Sequence, residues 1–120
     1  MPLPWVRLDT AMPDSPKILH LIDGHKEGMA AAFAWVSSIC YCGKVGTDGF
    51  FSRSALARTH AKPIHTRLLA EYGFWTPDGG GWNVHDYLDH QQSTADTQRR
   101  SEKARERAEI RWHGPGNGRL

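Results

Sequence analysis

The apolar positions along residues 5–92 change period several times, and each change marks an element. Trp5, Val6 and Leu8 partly alternate with Arg7 and Asp9, which predicts a short strand over residues 5–10 ending near Met12-Pro13. Asp14 or Ser15 is placed to cap a helix with Pro16 in its first turn. Ile18, Leu19, Leu21 and Ile22 form its apolar side, and Asp23-Gly24 stops it. A longer helix is predicted over residues 26–43, where Met29, Phe33, Val36 and Ile39 or Cys40 recur at spacings of three and four. As the central core helix, it is expected to turn this stripe inward.

Gly43, Gly46 and Asp48-Gly49 break the pattern, and Phe50-Phe51 reads as a very short strand before Ser52. Ser52 or Ser54 caps a short helix over residues 54–59 that carries Ala55 and Leu56 inward. Pro63 then opens another helix, with Ile64, Leu68, Leu69 and Tyr72 on one apolar side until Gly73 ends it. Two short helices joined by a turn of three or four residues make a helix-turn-helix. Strands over residues 74–76 and 82–86 flank Pro77-Asp78-Gly79-Gly80-Gly81, and a hairpin directly after a helix-turn-helix is a wing, which the Phe50-Phe51 strand can join. The expected fold is mainly α with a small β-hairpin: a winged helix-turn-helix domain over residues 1–92, a basic polar helix over 93–113 and a flexible tail over 114–120. The basic helix has only Ala104, Ala108 and Trp112 as a thin apolar stripe, so it projects into solvent, pairs with something, or is partly unstructured when alone.

A chain of 120 residues with 39% apolar and 23% charged residues suits one domain with a modest core and little room for a deep catalytic cleft. The longest mainly apolar stretch, residues 29–42, is too short to span a bilayer, and MPLPWVRLD lacks the pattern of a secretory leader. No membrane association and a cytoplasmic location are expected. Cys40 and Cys42 read as buried thiols in a reducing compartment. The net charge of +2 conceals an asymmetry: residues 53–67 hold Arg53, Arg58, Lys62 and Arg67 and no acid, whereas the rest of residues 1–92 holds four basic residues against nine acids. Residues 93–120 add seven basic residues against four acids. Two local basic regions on a nearly neutral chain fit an anionic partner, nucleic acid first.

On a helical wheel the apolar side of the second short helix leaves Lys62, Pro63, Thr66, Arg67 and Ala70 on the other side. Lys62, Thr66 and Arg67 are the expected base or backbone readers, and Arg53 and Arg58 the phosphate contacts. His65 falls at the boundary, as a phosphate contact or a packed histidine. In the C-terminal helix Arg99, Arg100, Lys103, Arg105, Arg107 and Arg111 either neutralise phosphates or form a solvated face laced with Glu102, Glu106 and Glu109. A third reading of that helix is a homodimer contact through its alanines and Trp112. The wing tip carries Asp78 and no base. No metal is expected, because Cys40-x-Cys42 lacks the usual spacer and second cluster and His60 with His65 is a loose match. No cofactor or enzymatic activity is expected either: His85, Asp86, Asp89 and His90 have no accompanying nucleophile or phosphate cradle and read as surface and cap residues. Trp5, Trp35, Trp75 and Trp82 read as core and hairpin packing, with Trp75 facing Trp82 across the hairpin.

Several segments carry a resemblance: PWVRLDTAMPDSPKILHL; Cys40-Tyr41-Cys42 followed by Asp48-Gly49-Phe50; Leu69-Ala70-Glu71-Tyr72-Gly73-Phe74-Trp75; and Gly81-Trp82-Asn83-Val84-His85-Asp86-Tyr87-Leu88-Asp89. Over about residues 4–92 they resemble a family of actinobacterial phage and prophage helix-turn-helix DNA-binding proteins, similar to the N-terminal winged-helix domain of phage replisome organisers. The basic helix ending in Arg111-Trp112 resembles the segment that follows this domain. The resemblance implies origin or regulatory DNA binding, with self-association and recruitment of replication partners. Two functions follow as expectations. One is a double-stranded DNA-binding protein of replication or transcription control. The other is a winged-helix interaction module for a host or phage replication or transcription protein.

Overall fold

The computed structural model describes residues 2–91, 99 and 102–107. Helix α1 (Pro16–Gly24) starts where expected: the Ser15 hydroxyl accepts from the Ile18 N–H at 3.3 Å, and Pro16 supplies a first-turn φ without needing a hydrogen-bond acceptor. Its Ile18 and Leu21 enter the core. Helix α2 (Gly28–Val45) lies two residues later than the sequence predicts. It begins at a close crossing with α1, where a Cβ on Gly28 would collide with the Leu21 carbonyl oxygen and sit 2.8 Å from Ile22 Cα. It ends on Gly46, left-handed at φ 82°, whose N–H bonds the Cys42 carbonyl at 2.9 Å.

The face that α2 buries corrects the expectation. Ala31, Ala34, Ser38, Ile39 and Cys42 point inward, while Met29 and Phe33 are 66% and 60% exposed, Val36 is half-buried and Cys40 is exposed. Only one of the two cysteines is therefore a buried thiol, and burial pushes the Cys42 thiol up from its ordinary value.

Residues 5–10 form no strand. The segment runs over the surface, held by the Leu3 N–H to the Gly43 carbonyl (2.8 Å) and by the side-chain amide of Gln91. That amide accepts from the Arg7 N–H at 2.8 Å and donates to the Arg7 carbonyl at 2.6 Å. A buried glutamine thus supplies the pairing a neighbouring strand would have given, and Trp5 is left 65% exposed instead of entering the core.

Strands β1 (Phe50–Ser52), β2 (Trp75–Asp78) and β3 (Gly81–Val84) form an antiparallel sheet in the order β1-β3-β2, so the short strand does join the hairpin. The hairpin strands reach further toward the tip than the sequence predicts, down to the pair Asp78–Gly81. This leaves a two-residue turn at Gly79-Gly80, with Gly79 at φ 56° as the first position of a primed turn requires. Phe51 stands opposite Trp82 and Trp75 opposite Val84, so one face of the sheet gathers a ring cluster. Phe51 lies 4.9 Å from Trp75 and 5.6 Å from Trp82, and the two tryptophans are 6.0 Å apart. Trp75 then reaches α2, its indole N–H donating to the Ser38 hydroxyl at 3.0 Å.

Between β1 and helix α3 (Pro63–Glu71) the chain forms a 3-10 helix, Arg53–Thr59, in place of the expected α-helical turn, and leaves it through His60 at φ 64°. A last turn, α4 (Tyr87–His90), follows the hairpin and buries Tyr87. The whole is helical with a small three-stranded antiparallel sheet packed on α2. Among the described residues no helix is long and apolar enough to cross a membrane.

Candidate nucleic-acid interface

Helix α3 opens at Pro63 and turns His65, Leu68 and Leu69 into the core, with Ile64 and Tyr72 partly buried beside them. Its other side presents Lys62, Pro63 and Arg67 to solvent, with Thr66 and Ala70 half-buried. This is the split that the wheel predicts. Thr66 donates to the Lys62 carbonyl at 3.3 Å, which leaves its hydroxyl oxygen free to act as an acceptor. Glu71, four residues after Arg67, is exposed as well and places one acid at the end of this face.

Of the two places expected for His65, the structure shows the packed one. Its ring is buried, Nδ1 accepts from the Lys62 N–H at 3.0 Å, and Nε2 faces Glu27 Oε1 at 2.8 Å. Because Nδ1 accepts, the proton sits on Nε2 and is donated to the carboxylate, which leaves no ring nitrogen for a ligand. The hydrogen bond from His65 is the largest influence holding the Glu27 carboxyl below its usual range. His65 therefore positions the first turn of α3 against the residue that precedes α2. Sequence reasoning missed Glu27 as its partner, although the place of His65 beside Leu68 and Leu69 on the wheel pointed inward.

Arg53 is exposed and anchored to the hairpin: its N–H donates to the Gly80 carbonyl at 2.7 Å and its guanidinium lies over the Trp82 ring at 5.0 Å. The hairpin tip has no base of its own, and Asp78 there accepts from Asn83 at 2.6 Å. A cation thus stands beside the tip, contributed from β1's end of the chain. No local sequence signal reveals this, because it depends on the β1–β3 pairing. Arg58 is exposed in the last turn of the 3-10 helix. None of Arg53, Arg58, Lys62 and Arg67 makes an ion pair with an acid among the described residues.

In the C-terminal segment Arg99 and residues 102–107 are helical and exposed, so Lys103, Arg105 and Arg107 alternate on the surface with Glu102 and Glu106. Arg107 Nε donates to the Lys103 carbonyl at 3.5 Å. Arg100, Ala108, Arg111 and Trp112 lie outside the described residues. His85 and Asp86 pair at 3.1 Å on the surface, and no group of three or more His, Cys, Asp or Glu side chains among the described residues is arranged to hold a metal ion. A cavity of about 280 Å³ with an apolar floor of Met12, Ile18, Trp35, Ile39 and Phe74 and charged or polar neighbours that include Arg7, Lys17 and Asp86 lies elsewhere, and none of the basic residues of 53–67 borders it.

The chain matches no family model, no curated protein and no solved structure.

Proposed function

We propose that the protein is a winged-helix protein that binds double-stranded DNA in replication or transcription control. The order of helix, helix, strand, short helix, helix and hairpin, with the first strand paired to the hairpin, is the one a winged helix requires. The observation that carries the functional reading is the exposure, free of acidic partners among the described residues, of Lys62 and Arg67 on the outer side of α3. Arg53 stands beside the hairpin and Arg58 between them in the chain. In this reading α3 enters the major groove, Arg67 and Lys62 reach guanine edges or phosphates, Thr66 touches a base edge, and Arg53 and Arg58 hold the backbone. Arg99, Arg100, Lys103 and Arg107 add phosphate contacts from the C-terminal segment.

If only Arg53, Arg58, Lys62 and Arg67 each neutralise one phosphate, the logarithm of the affinity falls with the logarithm of salt at a slope of about −3.6, a loss on the order of 10²-fold for a fourfold rise in salt. Fluorescence anisotropy on a labelled duplex measures this slope. Lys62→Ala and Arg67→Ala are each expected to weaken binding and make the slope shallower by about 0.9 if the contact is to phosphate. Unchanged affinity in both variants removes the reading. A protein-interaction module is the second reading, favoured by the acids Asp78 at the hairpin tip and Glu71 at the end of α3, and it predicts that indifference.

A further inference from the structure

The cavity away from the basic face is bounded by the surface segment of residues 7–12, α1, α2, the root of the hairpin and α4. Its volume of about 280 Å³ is well above the ~150 Å³ of an apolar cavity that takes up benzene. The floor suits a flat apolar body: Trp35 and Phe74 meet edge to face with centroids 5.2 Å apart, and Met12, Ile18 and Ile39 continue the apolar surface beside them.

The polar groups around this floor decide the head of an occupant. Those that accept hydrogen bonds are engaged within the chain. Asp9 Oδ1 accepts from the Ala11 N–H at 2.7 Å, Gln91 Oε1 accepts from the Arg7 N–H at 2.8 Å, and Asp86 pairs with His85 at 3.1 Å. The donors are not used up. Lys17 Nζ gives one of its three protons to the Gly73 carbonyl at 2.7 Å and lies 4.6 Å from the centre of the Phe74 ring, at the edge of the floor. The Arg7 side chain is exposed and its guanidinium makes no hydrogen bond or ion pair among the described residues, since Gln91 holds only the backbone of Arg7. Partial burial lowers the Lys17 pKa from its ordinary value and outweighs the attraction of Asp86, so the ammonium beside the floor is under-compensated. An amine or alcohol head brings these two cations little relief. A carboxylate accepts from both, and hydrogen bonds between ionised partners are the strong ones.

We propose that this cavity is a binding site for a small aromatic carboxylate, with the ring on Trp35 and Phe74 and the carboxylate accepting from Lys17 and Arg7 at the mouth. Arg53, Arg58, Lys62 and Arg67 lie outside it, so the site stands or falls independently of DNA binding.

Three compounds with one body and different heads test it on the full chain: phenylpropionate, phenylpropanol and phenylpropylamine, each titrated through the millimolar range and followed by nitrogen–proton correlation spectra. The acid is expected to shift the amides of residues 7–12, 17 and 74 and the Trp35 indole N–H saturably, while those of α3 stay in place. Losing the charged head is expected to weaken binding on the order of tenfold for the alcohol, and the amine is expected to bind no better than the alcohol. Arg7→Gln and Lys17→Gln are each expected to weaken the acid several-fold and leave the alcohol unchanged. Arg7→Gln has no side-chain partner to lose, so it keeps the test decisive if Lys17→Gln disturbs the Gly73 contact, and the spectrum itself reports the fold. No saturable shift at the cavity, an acid that binds no tighter than the alcohol or the amine, or an affinity for the acid unchanged by Arg7→Gln and Lys17→Gln overturns the proposal.

Discussion

Ser38 joins the two halves of the core through one hydroxyl group. It is fully buried in α2, donates to the Trp35 carbonyl at 2.6 Å and accepts from the indole N–H of Trp75 at 3.0 Å. Ser38→Ala changes the packed volume little but leaves the indole N–H of Trp75, itself 1% exposed, with no acceptor. An orphaned buried donor costs about 1–3 kcal/mol, and the better helix propensity of alanine returns roughly 0.5 kcal/mol. The expected net loss is about 1–2 kcal/mol, which at about 4–8 °C per kcal/mol lowers the melting temperature by about 10 °C. Urea denaturation of a double-mutant cycle measures it. In a Trp75→Phe background there is no indole to orphan, so the same Ser38→Ala change is expected to cost almost nothing. Costs that simply add, or a Ser38→Ala protein as stable as wild type, refute the assignment of this hydroxyl as the acceptor that holds Trp75.

Gly28→Ala is expected to destabilise by about 1–3 kcal/mol or more, because its Cβ collides with the backbone of α1 at Leu21 and Ile22, which cannot yield as a flexible side chain would; chemical denaturation checks it. Acidification is expected to erode the contribution of Glu27. Its folded carboxyl titrates below the ordinary value of 4.5, so the ionised form favours the folded state, fully above the unfolded value and not at all below the lower folded one. The stability gap between wild type and Glu27→Gln therefore shrinks as pH falls below 4.5, read from melting temperatures across that range, and a constant gap contradicts the His65–Glu27 assignment.

Much of the architecture was legible because local chemistry dictates it. Ser15 with Pro16, Pro63 at the start of α3 and Gly79-Gly80 at the hairpin each place a boundary through a cap, a fixed φ or a left-handed residue, whatever the rest of the chain does, whereas the long helix runs through Gly43, where the sequence predicts its end, and stops at Gly46. The exposed side of α3 was legible for the same reason, since four apolar positions on one side leave Lys62 and Arg67 on the other. What failed depends on contacts far apart in sequence. Residues 5–10 alternate like a strand, yet the partner that arrives is the side chain of Gln91, 84 positions from Arg7. The ring of His65 is claimed by Glu27, 38 positions away, and the cation beside the hairpin tip comes from Arg53 through the pairing of β1 with β3. No window of local sequence contains both members of such a pair.

The inverted reading of α2 has a different cause. Periodicity reveals that a helix has an apolar stripe, but a helix with two stripes gives the method no means to choose between them. Size decides here, because α2 crosses α1, the 3-10 helix and α3 and packs on the sheet, and close approach of backbones favours residues with little side chain. Gly28, Ala31, Ala34, Ser38, Cys42 and Gly43 line that side together with the larger Ile39, and Gly43 leaves room for Val6, where any Cβ would collide. The bulky Met29 and Phe33 cannot be accommodated at that spacing and face out. In a helix without charge over residues 28–43, therefore, the stripe made mostly of small residues identifies the intramolecular core. The stripe of large ones, which a hydrophobicity scale ranks higher, is what remains exposed.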